Sequence, residues 1–466
     1  MTAPVDRRTF LRKSGLMAGA AVIAPSLTGL VACSEPVAPY DGNGVSGSLN
    51  RGISGGYGRL EPVKKYPEIS IPRGFFAERL SVRGDMMDDG VRVPQALDGM
   101  GAFAMGGNIV RLVRNHEIRD TVSGGATPFA GNPYDGRGPA GTTTLEVELR
   151  ADGAATLRKQ FSSLTGTFVN CAGGITPWGS WITSEETVAG TNAGWMRNHG
   201  YNFEVPAAAD GPVDPVPLRQ MGRFSHEAVA VDPATGIVYQ TEDRNPSGFY
   251  RYIPTVPGQL VRGGRLEMLV VAGRPGYDTR RGQTVGEVLQ AAWVPIANPD
   301  TDTPQISSGF VFNQGFALGG AQFARLEGCW WGDGGCYFNS TSGGEVNAGQ
   351  IFKYTPTGSQ TGELVMIYES PDFGVLKNPD NVCVSPRGGI VLCEDSNGTN
   401  FVRGLTRGGE VFDFVRNNIN DAEWAGACFS PQGRTLFVNI QGSTSSRSDT
   451  FAATYAIWGP WNSGAL

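Results

Sequence analysis

Histidine is nearly absent: a chain of 466 residues carries only His116, His199 and His226. A zinc site of the three-histidine kind would need all of them, and His199 stands alone in a Gly/Asn loop as a bystander, so that chemistry is excluded. Cysteine is also scarce. The seven present show no CxxC spacing, which removes a zinc ribbon. Charged residues reach only 18%, and a net charge of -6 offers no basic surface for nucleic acid. Long stretches of helical apolar spacing are missing as well. In their place, 67 glycines and 30 prolines punctuate short β runs, which predicts an all-β chain long enough to bury a large core.

Residues 1–35 read as a targeting segment. Asp6-Arg7-Arg8-Thr9-Phe10-Leu11-Arg12-Lys13 has the pattern of a twin-arginine export signal, followed by a weakly apolar run from Gly15 to Val31. Leu30-Val31-Ala32-Cys33-Ser34 resembles a lipobox, which makes Cys33 the expected site of lipidation. Ser, Thr and Pro interrupt the run too often for a membrane span, and no later segment has the apolar length for one. The expected location is the periplasm or the outer face of the cell envelope, with the twin-arginine machinery as a partner and a lipid anchor at Cys33. Residues 36–75, rich in Gly, Ser and Pro, read as a flexible tether and lead-in, and residues 76–466 as the folded domain. Of the other cysteines, most sit in apolar runs as small buried hydrophobes; Cys329 and Cys336 are candidates for pairing.

What the chain does contain is a repeat. CAGGITPWGSWITSEE, EAVAVDPATGIVYQTED, DNVCVSPRGGIVLCED and AGACFSPQGRTLFVNIQ superimpose on their turn proline, and begin at Cys171, Glu227, Asp380 and Ala425. Glu185-Glu186, Glu242-Asp243, Glu394-Asp395 and Asn439 to Gln441 follow the proline at matching offsets. Each unit is therefore a strand, a Pro/Gly turn and a second strand, with metal-ligand types where strand pairs begin and end. NIVRLVRNHE, ending on Asn115-His116-Glu117, and a hairpin opened by Arg325-Leu326-Glu327 look related. Such repetition predicts a β-propeller of about six blades with inserted loops and short helices, and a metal site in its central channel. Asp278 to Pro304 reads as a partly helical insertion, and a β-sandwich is the alternative fold.

If those strand ends converge, Glu117, Cys171, Glu185, Glu186, Glu227, Glu242, Asp243, Glu327, Asp380, Glu394 and Asp395 collect in one place. So many carboxylates cannot remain ionised together without cations between them. Hard oxygen donors suit calcium, magnesium or ferric iron, and a thiolate at Cys171 would add a preference for a transition metal. His226 would either ligate or hydrogen-bond behind a ligand, and Asn115 and His116 would hydrogen-bond behind one. Two residues before Glu327 in an extended strand, Arg325 would share its face. Its guanidinium either binds a phosphate or neutralises surplus carboxylates.

Arg114-Asn115-His116-Glu117, the stretch Asn170 to Gly179 running on to Glu185-Glu186, Arg223-Phe224-Ser225-His226-Glu227 with Thr241-Glu242-Asp243, Arg325-Leu326-Glu327-Gly328, Pro379-Asp380-Asn381, and Phe429-Ser430-Pro431 to Asn439 resemble PhoX-type alkaline phosphatases. The resemblance runs from about residue 75 to 460. It implies a propeller whose channel holds Fe(3+) and Ca(2+) ions around a bridging oxo group. It also implies Cys171, Glu227 and Asp380 as iron ligands, Glu186, Glu327 and Asp243 as ligands shared with calcium, and Arg325 as the phosphate-binding arginine. Ser184 departs from the pattern, standing where relatives often have a second cysteine. Loops around the channel mouth are expected to be shorter than in many relatives.

The resulting expectation is an exported phosphatase that hydrolyses small phosphomonoesters by direct metal-assisted attack, since no Ser, Thr or Cys with a neighbouring base is evident. A monomer is expected. Two alternatives stay open: a calcium-dependent propeller hydrolase acting on lactones or phosphodiesters, and a non-catalytic, metal-stabilised binding module.

Overall fold

Small residues mark the strands that meet at the axis of the molecule. In the computed structural model, residues 56–120, 128–303 and 306–466 are described, all within one compact unit. The twin-arginine motif and Cys33 lie outside the described residues. Six inner strands, Leu97–Ala104, Asn170–Ile175, His226–Val231, Leu326–Gly332, Pro379–Val384 and Trp424–Phe429, each pack on the next, and the sixth returns to the first. A Cβ at Gly99 would lie 2.6 Å from the Ala172 Cα, and one at Gly328 would lie 2.4 Å from the Asp380 carbonyl. Only glycine permits this approach, which is why Gly and Ala follow the ligand-type residues.

Each inner strand pairs antiparallel with a second one: Ile109–His116, Ser180–Glu185, Val238–Glu242, Gly335–Ser340, Ile390–Glu394 and Thr435–Ile440. Further strands continue outward, so the fold is a six-bladed β-propeller. Each inner strand is buried over its first four residues or more, His226–Val231 along its whole length, whereas the outer Gly362–Glu369 alternates buried and half-buried positions. Aromatic rings fill the wedge between the third and fourth blades, with Phe249 stacked on Phe338 at 4.2 Å between centroids.

Three expectations need correction. The lead-in assigned to residues 36–75 belongs to the fold from Leu60 onward: Leu60–Val63 and Tyr66–Pro72 add two strands to the fifth blade. Their alternating apolar residues, Tyr66, Ile69 and Ile71, are buried in that blade. Phe76–Val82 then pairs with Ala453–Trp458 and completes the sixth blade. The insertion after Asp278 forms a strand, Val288–Pro295, where helix was expected. Its alternating Leu289, Ala291 and Trp293 are buried, and it pairs with both Gly264–Val271 and Gly362–Glu369, joining two blades into a nine-stranded sheet. The one α-helix among the described residues, Phe310–Ala317, lies beyond it. Third, Arg325 is not extended: its φ is 52°.

Cys329 and Cys336 are buried, with their sulfurs 3.0 Å apart. No helix among the described residues is long and apolar enough to cross a membrane.

Candidate active site

The six blades present their channel residues through one repeated backbone device. The amide that follows each second strand donates to the residue just before the inner strand: Glu117 to Ala96, Glu186 to Val169, Asp243 to Ser225, Thr341 to Arg325, Asp395 to Asn378 and Gln441 to Glu423, at 2.8–3.2 Å. A one-residue bulge follows in every inner strand, as between His226 and Val229. Ala96, Val169, Arg325 and Asn378 adopt positive φ of 43–56°, a conformation costing non-glycine residues about 1–3 kcal/mol. Turn and bulge together aim the second residue of each inner strand at the axis. Those residues are Asp98, Cys171, Glu227, Glu327, Asp380 and Ala425.

Hydrogen bonds from one blade to the next hold these strands in place. Asn115 donates to the carbonyls of Cys171 and Ala172 at 2.9 and 2.6 Å, and accepts from Trp181. Thr241 donates to the Glu327 carbonyl, Asn339 to that of Pro379, and Asn439 to that of Asp98. Asn115 thus holds the backbone at Cys171.

At the axis, Cys171 Sγ lies 3.1 Å from Glu227 Oε1 and 3.7 Å from Asp98 Oδ2. Three groups bring their ligand atoms within 4.8 Å of one another: Asp98, Glu117 and Cys171; Cys171, Glu186 and Glu227; Asp380, Asp395 and Glu423. Glu327 and Asp243 join this assembly through Arg325, whose Nε and Nη2 donate to the two Asp243 oxygens at 2.9 Å while Nη2 also meets Glu327. At the first and second blades, Arg119 donates Nε to Glu117 at 2.5 Å and Nη2 to Glu186.

Nine carboxylates, Asp98, Glu117, Glu186, Glu227, Asp243, Glu327, Asp380, Asp395 and Glu423, thus face one thiol and two guanidiniums. Burial first, and then mutual repulsion, pushes Asp98, Glu186, Glu227, Glu327 and Glu423 well above the ordinary carboxylate range. Burial and Asp395 push Asp380 up to about 7. Asp98 Oδ1 and Glu327 Oε2 are buried with no hydrogen-bond partner. Unpartnered buried oxygens among converging hard donors, with one soft sulfur, fit a cluster of cations such as calcium with a transition metal.

Not every expected ligand is here. Glu185, Glu242 and Glu394 end their strands one residue before the channel position, and strand alternation turns them away from the axis. There they cap the loop to the third strand. Glu185 accepts from the amides of Gly200 and Tyr201, Glu242 from Gly248 and the Tyr250 hydroxyl, and Glu394 from Phe401 and Arg403. Sequence register could not separate the two members of each pair; the alternation does. The histidines also turn aside. His116 contacts the Gln95 carbonyl and Thr143, and His226 the Gly222 carbonyl and Asn202; burial pulls His226 down to about 3, so it stays neutral.

His199 is no bystander. It lies fully buried between Glu185, at 2.7 Å, and Asp135, at 3.4 Å. Burial alone would lower it, but the two carboxylates hold it up at about 9. Because the folded value exceeds the unfolded one near 6.5, the stabilisation is complete below that pH and is lost as pH rises through about 9. Glu185→Gln is therefore expected to cost about 3 kcal/mol near pH 7 and less at pH 10, with metal content unchanged. Thermal unfolding at the two pH values, alongside metal analysis, checks this; loss of metal would return Glu185 to the ligand set.

Asp98, Arg119 and Glu423 were missed in the sequence. The first blade lacks the turn proline used for superposition, so Asp98 could not be placed; the pairing of a hard ligand with glycine in Asp98-Gly99, as in Glu327-Gly328, was the available signal. Glu423 occupies the position before the strand, where the fourth blade has Arg325, and so fell outside the fixed offsets. Nothing in the pattern marked Arg119.

Comparison with known proteins follows this geometry. The family model for alkaline phosphatase PhoX matches residues 55–443. A search of curated proteins gives no significant match. Among solved structures, PhoX of Pseudomonas fluorescens in complex with vanadate, a transition-state analogue, is similar at 17% identity and a TM-score of 0.66, covering 89% of this chain and 99% of its own. A gluconolactonase from Xanthomonas campestris (11% identity, 82% and 99% coverage, TM-score 0.33) and a luciferin-regenerating enzyme (10%, 83% and 96%, TM-score 0.42) are too loosely similar to bear on the site. Because the matched residues span the inner strand pair of every blade, this chain belongs to the alkaline phosphatase PhoX family.

Proposed function

We propose that the chain is an exported, metal-dependent phosphomonoesterase that releases inorganic phosphate at the axis of its propeller. Family membership makes it an alkaline phosphatase. The metal dependence rests on one observation: nine carboxylates and a thiol share a partly buried ring with only two guanidiniums. That excess of negative charge is stable only when cations divide it. Cys171, Glu227, Asp98, Glu117 and Glu186 would hold a transition metal such as Fe(3+), and Asp380, Asp395, Glu423, Glu327 and Asp243 would hold Ca(2+) alongside it. When bound, such ions polarise phosphoryl oxygens and lower the pKa of water.

The protein's own groups do the orienting. Asp243 fixes the Arg325 guanidinium through two parallel hydrogen bonds, and Nη1 donates to no described residue, leaving it for a phosphoryl oxygen. The Arg325 side chain is 37% exposed, so a solute can reach it. Thr341, the hydroxyl residue at the fourth blade's channel position, donates to the Pro379 carbonyl, and His116 and His226 are bound elsewhere. Among the described residues, no hydroxyl at a channel position is paired with an imidazole, which supports direct attack by water over a phospho-enzyme. Export and a lipid anchor rest on the Arg7-Arg8 signal and Cys33 alone, and these support a reaction in the periplasm or on the outer face of the envelope.

Protein purified after export through its own signal tests the reading. Iron and calcium together, with turnover of p-nitrophenyl phosphate, are the expected result. Calcium alone with turnover of a lactone or phosphodiester would replace the phosphomonoesterase, and absence of both metals would leave a binding module.

A further inference from the structure

Arg119 and Arg325 bring guanidiniums to the ring from different blades, Arg119 to carboxylates of the first and second, Arg325 to those of the third and fourth. Arg119 follows the second strand of the first blade, and Arg325 precedes the inner strand of the fourth, which faces the first across a ring of six. Both lie at the end of the ring where the channel carboxylates project, since the amide of Glu117 donates to Ala96 just as that of Thr341 donates to Arg325. Each guanidinium is engaged in the same way. Nε and Nη2 meet two carboxylates of the ring, Glu117 and Glu186 for Arg119, Asp243 and Glu327 for Arg325. In each, Nη1 donates to no described residue. The side chains are 46% and 37% exposed, so both are accessible from the channel mouth. The backbone of Arg119 is anchored by its amide to the Thr444 carbonyl at 2.8 Å, which fixes where the side chain can reach.

From this shared mode of engagement we infer that Arg119 is a second substrate-binding guanidinium, gripping the phosphoryl group from a different pair of blades than Arg325. A phosphomonoester dianion presents three non-bridging oxygens, more than one planar guanidinium can satisfy. Two guanidiniums reaching the group from different blades would share its non-bridging oxygens and leave the ester oxygen directed out of the channel. Cations bound to Glu117 and Glu186 would take over those carboxylates and release Arg119 toward the anion.

The inference rests on the phosphatase reading, and its test separates the two. Wild type, Arg119→Ala and Arg119→Lys, each purified after native export, are compared for iron and calcium content, for kinetics on p-nitrophenyl phosphate and for binding of inorganic phosphate by calorimetry. Arg119→Ala is expected to weaken phosphate binding and raise KM by about tenfold to a hundredfold with metals retained, the loss of a charged hydrogen-bond pair. Arg119→Lys, which keeps the charge without the fork, should recover part of it. Unchanged phosphate affinity, or loss of metal in both variants, would overturn the inference, the latter making Arg119 a neutraliser of the ring. Wild-type protein that binds phosphate without turnover would defeat the phosphatase reading and leave Arg119 to be decided by the binding data.

Discussion

Arg325→Ala is expected to lower kcat/KM for p-nitrophenyl phosphate by about 10²–10³-fold, with iron and calcium content unchanged. Arg325 stands between Asp243 and Glu327, where it is held before substrate arrives. A donor fixed in advance needs no reorganisation as charge moves onto the phosphoryl oxygens, which is why its loss should fall on kcat as well as KM. Arg325→Lys should recover little, because a single ammonium cannot hold Asp243 through two parallel bonds and still offer a donor to the substrate. The positive φ of Arg325 adds a control: Arg325→Gly relieves the backbone while deleting the side chain. Activity equally low in the glycine and alanine variants would assign the loss to the guanidinium; recovery in glycine would assign it to the backbone.

Removal of the metals should have the second large effect, on stability as well as activity. The metal-free ring holds carboxylates whose folded pKa exceeds the unfolded one, Asp380 reaching about 7. Such groups support the fold fully below about pH 4 and withdraw that support as pH rises through 7. Protein stripped by a chelator should therefore lose all turnover and become less stable from pH 4.5 to pH 8. Metal-loaded protein should show no such decline, since bound cations keep the same carboxylates ionised in the folded state. Thermal melts of both forms across that range decide it. A stripped protein equally stable at both ends would mean that the ring is not the charge trap described here.

Much of this was readable before the structure, for a specific reason. The repeat at Cys171, Glu227 and Asp380 carries a turn proline that fixes register, so their convergence followed from counting along the chain. Blades without that proline were legible only in part: Glu117 and Glu327 were found, Asp98 was not. The pairs Glu185-Glu186, Glu242-Asp243 and Glu394-Asp395 exposed the limit of counting. Adjacent strand residues face opposite ways, and which one meets the axis depends on the bulge, which leaves no mark in composition. Tyr66–Pro72 was hidden differently, by a Gly- and Ser-rich approach that masked a strand whose partner, Val411–Asn417, lies at the far end of the sequence. Arg119 belongs to no repeat and became visible only through its contacts with Glu117 and Glu186.

The pairing of Phe76–Val82 with Ala453–Trp458 bears on the order of events in assembly. The first folded strands of the chain must wait for nearly the last, so the ring is a late event with very distant partners, the kind that forms slowly. Gln441 carries the same dependence into the channel, bridging Asp98 and Glu117 at 2.7 Å each. The wall of the cation site is therefore incomplete until Gln441 has joined the ring, and the earlier blades alone cannot enclose a metal. Ions are then enclosed in whichever compartment the ring closes. A protein that folds before it is exported would then carry across the membrane the metals of the compartment it leaves.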